Sequence, residues 1–127
     1  MPVNDLKKHT LVLGASNNPE RYSYLAILFL RAADIPVSAL GLRPANIEDV
    51  IVHTEWDQLR KEPVDTITLY LGAERQKEHY NNILAVKPRR IIFNPGTENA
   101  ELEQLAEERG IETLRACTLV MLRANLY

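Results

Sequence analysis

The sequence predicts an α/β domain of three-layer, Rossmann-like architecture, built on a five-stranded, mainly parallel sheet. Three observations carry that expectation. Short β-branched runs alternate with longer helical runs from His9 to the end of the chain, the pattern of strands joined by helical crossovers. The first run, Leu11-Val12-Leu13-Gly14, crosses a polar turn and passes into an apolar helix beginning near Tyr22. Polar and special residues gather just after the strand-like runs, so they share one edge of the sheet.

His9 to Gly14 reads as the first strand and Tyr22 to Ala33 as the first helix, with Tyr24, Leu25, Leu28 and Phe29 as its core stripe. Pro36 to Leu42 is the second strand, ended by Arg43-Pro44. Residues 46–53 form a short extended excursion, and Glu55 to Lys61 a small helix. Val64 to Leu71 is the third strand, rich in β-branched and aromatic residues. Ala73 to Val86 is helical and is stopped by Lys87-Pro88. Arg90 to Phe93 is the fourth strand. The helix Ala100 to Arg109 has Asn99 as N-cap and Gly110 as terminator, with Glu101, Glu103, Glu107 and Glu108 on a solvated face. Ile111 to Arg115 is the fifth strand, and Cys117 to Tyr127 a closing segment that starts as helix.

Composition bounds the function. At 127 residues, 46% hydrophobic and 25% charged, the chain has the make-up of one soluble globular domain over residues 1–127. A net charge of −2 without a basic run disfavours a nucleic-acid partner. The longest apolar stretch, Leu25 to Leu30, is far short of a membrane span. Met1 to Lys8 lacks the apolar core of a signal peptide, so a cytoplasmic location is expected. The single cysteine and the scattered His9, His53 and His79 offer no metal spacing, and each histidine reads as a surface or strand-edge residue.

The turn after the first strand points toward chemistry. A strand, a tight turn and a helix N-terminus bring backbone N–H groups together at the positive end of a helix dipole, a site for phosphate. A dinucleotide fingerprint would read G-x-G-x-x-G, but Gly14 is followed by Ala15, Ser16, Asn17, Asn18 and Pro19. Arg21 precedes the helix, an unfavourable place for a cation unless an anion is near. Arg43 stands where an NAD site needs a carboxylate for the ribose, which suits an adenosine bearing an extra phosphate. Asn94-Pro95-Gly96-Thr97 brings backbone close to a ligand, because Gly96 has no side chain in the way. Cys117 stands between two readings, a small buried hydrophobe and a contact to a ligand thiol.

Gly14-Ala15-Ser16 with Pro19, Arg21 and Ser23, then Asn94 to Asn99, then Ala116-Cys117-Thr118-Leu119-Val120-Met121, together resemble the small single-domain CoA-binding proteins. These are similar to the nucleotide-binding domain of the succinyl-CoA synthetase alpha subunit. The resemblance spans roughly residues 8–127 and implies coenzyme A held at the carboxyl edge of the sheet, with no catalytic residue. It implies that Gly14, Ala15, Ser16, Asn17, Asn18 and Arg21 face the diphosphate. Gly41 to Pro44, including Leu42, Arg43 and Pro44, would face the adenosine and its 3′-phosphate. Tyr70, Leu71 and Gly72, with Asn94, Pro95, Gly96 and Thr97, would line the path of the adenine and pantetheine. Where relatives commonly read Asn-Pro or Gly-Pro after the second strand, this chain has Leu42-Arg43-Pro44.

The expected function is binding of coenzyme A or an acyl-CoA by a module that is not an enzyme by itself. The synthetases that it resembles need a phosphohistidine-bearing domain for which the chain has no room. Two alternatives stay open: an NADP-type nucleotide-dependent oxidoreductase, and an interaction module that has lost its ligand.

Overall fold

The computed structural model describes residues 8–127. The polar N-terminal stretch, apart from Lys8, lies outside them, as do residues 1–7 of the expected domain. The strands are β1 (Thr10–Ala15), β2 (Val37–Gly41), β3 (Ala45–Ile47), β4 (Val50–His53), β5 (Thr66–Leu69), β6 (Arg90–Phe93) and β7 (Glu112–Arg115). The helices are α1 (Tyr22–Ala32), α2 (Ala73–Gln76), α3 (Tyr80–Val86), α4 (Ala100–Glu107) and α5 (Thr118–Arg123).

The sheet runs β3-β4-β2-β1-β5-β6-β7, parallel throughout except for β3 on β4. The class is therefore the expected one, but the sheet has seven strands and not five. The excess lies in the excursion after β2, which folds into the β3–β4 hairpin, with β4 pairing parallel to β2. Its turn falls at Glu48 and Asp49, and Glu48 takes the left-handed conformation at φ 54°. No glycine or asparagine announces that turn, so the segment reads as one extended piece.

Each strand of the centre buries both faces. On β1, Leu11 and Leu13 pack toward Ile67, Ile83, Leu84, Leu102 and Ala106, under α3 and α4. Val12 and Ala15 pack toward Ile27, Leu30 and Ala39, under α1. The buried face of α1 is Ser23, Ala26, Ile27 and Leu30, which corrects the expected stripe in part. Tyr24 and Leu28 are partly buried and pack against the edge of this core, as expected, whereas Leu25 is not among the buried residues and Phe29 is exposed. His9 is no surface residue either. It is buried, with Nδ1 2.9 Å from the Pro63 carbonyl and Nε2 2.7 Å from Ser38 Oγ.

Two further expectations change. The small helix after β4 shrinks to a 3-10 turn at Trp56–Gln58. The helix expected over 73–86 is split by a 3-10 turn at Lys77–His79, a local tightening that often marks a functional bend. Gln76 and Tyr80, on either side of the bend, both meet Asn99 at the start of α4.

Gly14 and Gly41 set the edge where the loops emerge. Leu13 pairs with Leu40 and Ala15 with Gly41, so Gly14 is a bulge, at φ 98°. The bulge throws the Ala15 carbonyl onto Gly41, where a Cβ would lie 2.3 Å from that oxygen. Gly41→Ala is therefore expected to destabilise the fold by about 3 kcal/mol or more. Gly72→Ala, whose Cβ would meet nothing within 4 Å, is expected to change stability by less than about 1 kcal/mol. Urea unfolding of the two variants checks the contrast.

Candidate functional site

The chain order of the strands reverses between β1 and β5, and ligands of such sheets lie in the crevice at that switch. A cleft of about 800 Å³ opens there, large enough for a cofactor-sized ligand. Its floor is Leu13, Gly14 and Leu40; one wall is the turn Ala15 to Ser23, and another is Gly41, Leu42 and Arg43 after β2. Tyr70, Leu71 and Gly72 after β5 and Pro95, Gly96 and Thr97 after β6 close the far side. Thr54, Arg75, Glu78 and His79 complete the lining and were not singled out as ligand-facing by sequence reasoning.

Thirteen of the sixteen anticipated site residues thus share one cleft: Gly14, Ala15, Ser16, Asn17, Asn18, Arg21, Leu42, Arg43, Tyr70, Leu71, Pro95, Gly96 and Thr97. Three do not line it. Pro44 is exposed and points the chain into β3. Cys117 is half-buried at the start of α5. Asn94 is spent inside the scaffold. Its Nδ2 donates to Thr68 Oγ1 (2.6 Å) and the Leu69 carbonyl (2.8 Å), and its Oδ1 accepts from the Thr118 amide (2.8 Å). Thr118 Oγ1 meets Thr68 Oγ1 at 2.8 Å. Two of the motif segments therefore meet through Asn94 and Thr118, which fix β5, β6 and α5 behind the cleft.

The turn after β1 is self-capped. Ser16 Oγ accepts from the Asn18 amide at 3.1 Å, and Asn18 Oδ1 accepts from the Glu20 amide at 3.0 Å. These Asx- and Ser-type turns hold the loop without using α1. The N-terminus of α1 has Arg21 at its cap, no side-chain cap and no carboxylate in its first turn. α4 is the opposite case: Asn99 caps it and Glu101 and Glu103 sit in its first turn. The start of α1, which faces the cleft, is left with its positive end unmatched.

Charge follows the same division. Arg31 is paired with Asp49, Arg89 with Asp65, and Arg115 with Glu103. The last pair corrects the reading of Glu103 as merely solvated, and Arg115 holds its carboxyl below the usual range. Among the described residues, six arginines form no ion pair: Arg90, Arg109 and Arg123, and the three that line the cleft, Arg21, Arg43 and Arg75. The carboxylates there are Glu20 and Glu78. Tyr70 is kept neutral, as burial pushes its hydroxyl up to about 12.

A fully buried amide shapes the far wall. Gln76 Nε2 donates to the carbonyls of Leu71 and Thr97, each at 2.8 Å, and its Oε1 accepts from Asn99 Nδ2 at 2.8 Å. Asn99 Nδ2 also reaches Tyr80 Oη at 2.8 Å. One side chain thus locks the loops after β5 and β6 to the α4 cap.

The sequence model of the CoA binding domain family matches residues 8–123. The chain belongs to this family. A solved structure of an uncharacterized protein is 40% identical, covers 95% of this chain and 98% of its own, and superposes with a TM-score of 0.87. A Thermus thermophilus protein is 22% identical, with coverage of 97% and 92% and a TM-score of 0.84. A hypothetical protein from Pyrococcus horikoshii OT3 is 16% identical, with coverage of 99% and 92% and a TM-score of 0.82. These last two share the fold. No curated protein matches the chain.

Trp56 Nε1 donates to His79 Nδ1 at 2.9 Å, a bond that a protonated imidazole cannot accept. Burial lowers the His79 value below the usual 6.5; Glu78 opposes this and Arg75 reinforces it. The neutral form is favoured by folding, so the stabilisation is complete above about pH 6.5 and is lost as pH falls through the lower folded value. The emission of Trp56, the single tryptophan, is expected to be constant above pH 6.5 and to change in one step below it. His79→Leu should abolish that step.

Proposed function

We propose that the cleft binds coenzyme A or an acyl-CoA, as a cytoplasmic ligand-binding module that carries out no chemistry by itself. The observation that carries this reading is the local charge. Three arginines without carboxylate partners line the same cleft as an uncapped helix start, in a chain whose net charge is −2. A ligand with a diphosphate and a separate ribose phosphate supplies anions for both. Membership of the CoA binding domain family supports coenzyme A over other phosphorylated nucleotides. The resemblance to the succinyl-CoA synthetase alpha subunit suggests a pose: diphosphate at Gly14 to Asn18 with Arg21, adenosine with its 3′-phosphate at Gly41 to Pro44, and the adenine and pantetheine path along Tyr70 to Gly72 and Asn94 to Thr97.

Roles follow from donor chemistry. The free backbone N–H groups at the start of α1 face phosphate oxygens better than any neutral group, because the helix dipole adds to the hydrogen bonds. A guanidinium offers a bidentate fork to a terminal phosphate. Gly96, at φ 92° and with nothing within 4 Å of a Cβ position, leaves room for a slender pantetheine arm.

Calorimetry with coenzyme A, dephospho-CoA and NADP tests the reading. Charge-assisted bonds from Arg43 to the 3′-phosphate contribute about 1.5–3 kcal/mol. Dephospho-CoA is therefore expected to bind roughly 10- to 150-fold more weakly than coenzyme A. Arg43→Ala should remove most of the difference while leaving dephospho-CoA nearly unaffected. Binding of NADP in preference to coenzyme A would establish the oxidoreductase alternative, and binding of neither would leave the interaction module.

The phosphate turn has its own test. In Ser16→Asp the new carboxylate still accepts from the Asn18 amide, so the fold should persist, with an unchanged unfolding midpoint to within about 1 kcal/mol. The added negative charge stands among the groups proposed for the diphosphate, and coenzyme A binding should be lost. Retained affinity in the calorimeter would move the diphosphate elsewhere.

A further inference from the structure

The cleft has two ends, and Thr54 lines one of them. β4 is the outer neighbour of β2. Thr54 and Trp56, which follow β4, therefore stand on the side where sheets of this class receive the adenosine half of a ligand. Pro95, Gly96 and Thr97, beyond β5, stand at the other end. His79 belongs to the adenosine end: it lines the cleft and is joined to Trp56.

The Trp56 contact decides which face His79 shows. An indole N–H donates and never accepts, so the Nδ1 atom 2.9 Å away carries a lone pair. The imidazole is then neutral and its proton sits on Nε2. The nearest carboxylate oxygen, on Glu78, is 3.7 Å from Nε2, beyond hydrogen-bond reach. Among the described residues no other acceptor takes this proton. The side chain is 17% exposed, so the donor remains open to a ligand in the cleft.

We propose that His79, its tautomer locked by Trp56, is the base-reading group of the cleft, donating from Nε2 to a ring nitrogen of adenine. The inference rests on the coenzyme A reading and adds to it the residue that recognises the base. A cation at this position would draw any phosphate in the cleft and would blur the register of the ligand. A neutral donor recognises the acceptor nitrogens N1, N3 and N7 of the purine without competing for phosphate. Burial and the nearby Arg75 both favour that uncharged state. Trp56 is a positioning residue: it acts on the base only through His79.

The test uses coenzyme A together with adenosine 3′,5′-bisphosphate and its 1-deaza, 3-deaza and 7-deaza forms, titrated into the whole protein by calorimetry. One deaza form is expected to bind roughly 5- to 10-fold more weakly than its parent, with the other two close to the parent. In His79→Phe that difference should vanish. In Trp56→Phe the ring divides between two tautomers, and the difference should shrink by about half or more. A purely structural role for Trp56 would instead weaken all four ligands together and leave the difference intact.

Equal binding of the four ligands by the wild-type protein overturns the assignment, and so does a difference that survives His79→Phe. If coenzyme A binds and adenosine 3′,5′-bisphosphate does not, the base reading falls and the cofactor reading stands. If neither binds, both fall. The wild-type series needs no variant, so the proposal is decided even should a substitution unfold the chain.

Discussion

The cleft depends on one buried amide. Gln76 has no exposed surface, and taking an amide out of water is costly unless its hydrogen bonds are remade inside. It remakes them with the Leu71 and Thr97 carbonyls and with Asn99. Those two carbonyls lie in the loops that close the far wall, and Asn99 starts α4. The fixed length and direction of a side-chain amide thus set the spacing of three separate segments. Gln76 and Tyr80, four residues apart, both turn toward Asn99 across the 3-10 turn that divides the helix after β5. Asn94 has the corresponding role deeper in the fold, tying β5 to α5.

Electrostatics separates the scaffold from the site. Three arginines of the scaffold, Arg31, Arg89 and Arg115, each hold a carboxylate at 2.8 or 2.9 Å. Arg90 is a variant of the same use, buried with its guanidinium carbon 4.5 Å from the Tyr127 ring centroid and Nε on Thr66 Oγ1. The arginines of the cleft are left alone. Exposed ion pairs contribute little to stability in any case, so the difference speaks of recognition more than of folding.

Much of this was legible in the residues. The alternation of strands and helices, the Gly14 turn and the Asn99 cap are local signals, each with a mechanism that acts within a few residues. The hairpin of β3 and β4 escaped because its left-handed turn position is Glu48, where glycine or asparagine is usual. Asn94 looked like a ligand contact because it stands at the correct edge, beside Pro95 and Gly96, but its direction is set by Thr68 and Thr118, far away in sequence. Gln76, Arg75 and His79 sit in a stretch that reads as plain polar helix. The significance of Gln76 and His79 comes from partners 5 to 23 residues distant, and no pattern within the helix encodes those. An attentive reading had one available sign, a glutamine spaced four residues before Tyr80 in a helix with few apolar positions, but that sign is weak.

The open start of α1 and its unpaired arginines have a consequence for the life of the molecule. When the cleft is empty, its three arginines have no carboxylate partner among the described residues and the start of α1 has no capping side chain. A bound polyanion removes both penalties, and it does so only in the folded chain. By mass action, a ligand at 100 times its dissociation constant adds about 2.7 kcal/mol to folding, a large share of the 5–15 kcal/mol typical of a domain. The fraction of chains exposed to proteolysis then falls roughly a hundredfold as the ligand accumulates. Under the proposed binding, the folded fraction of the protein would follow the supply of its ligand.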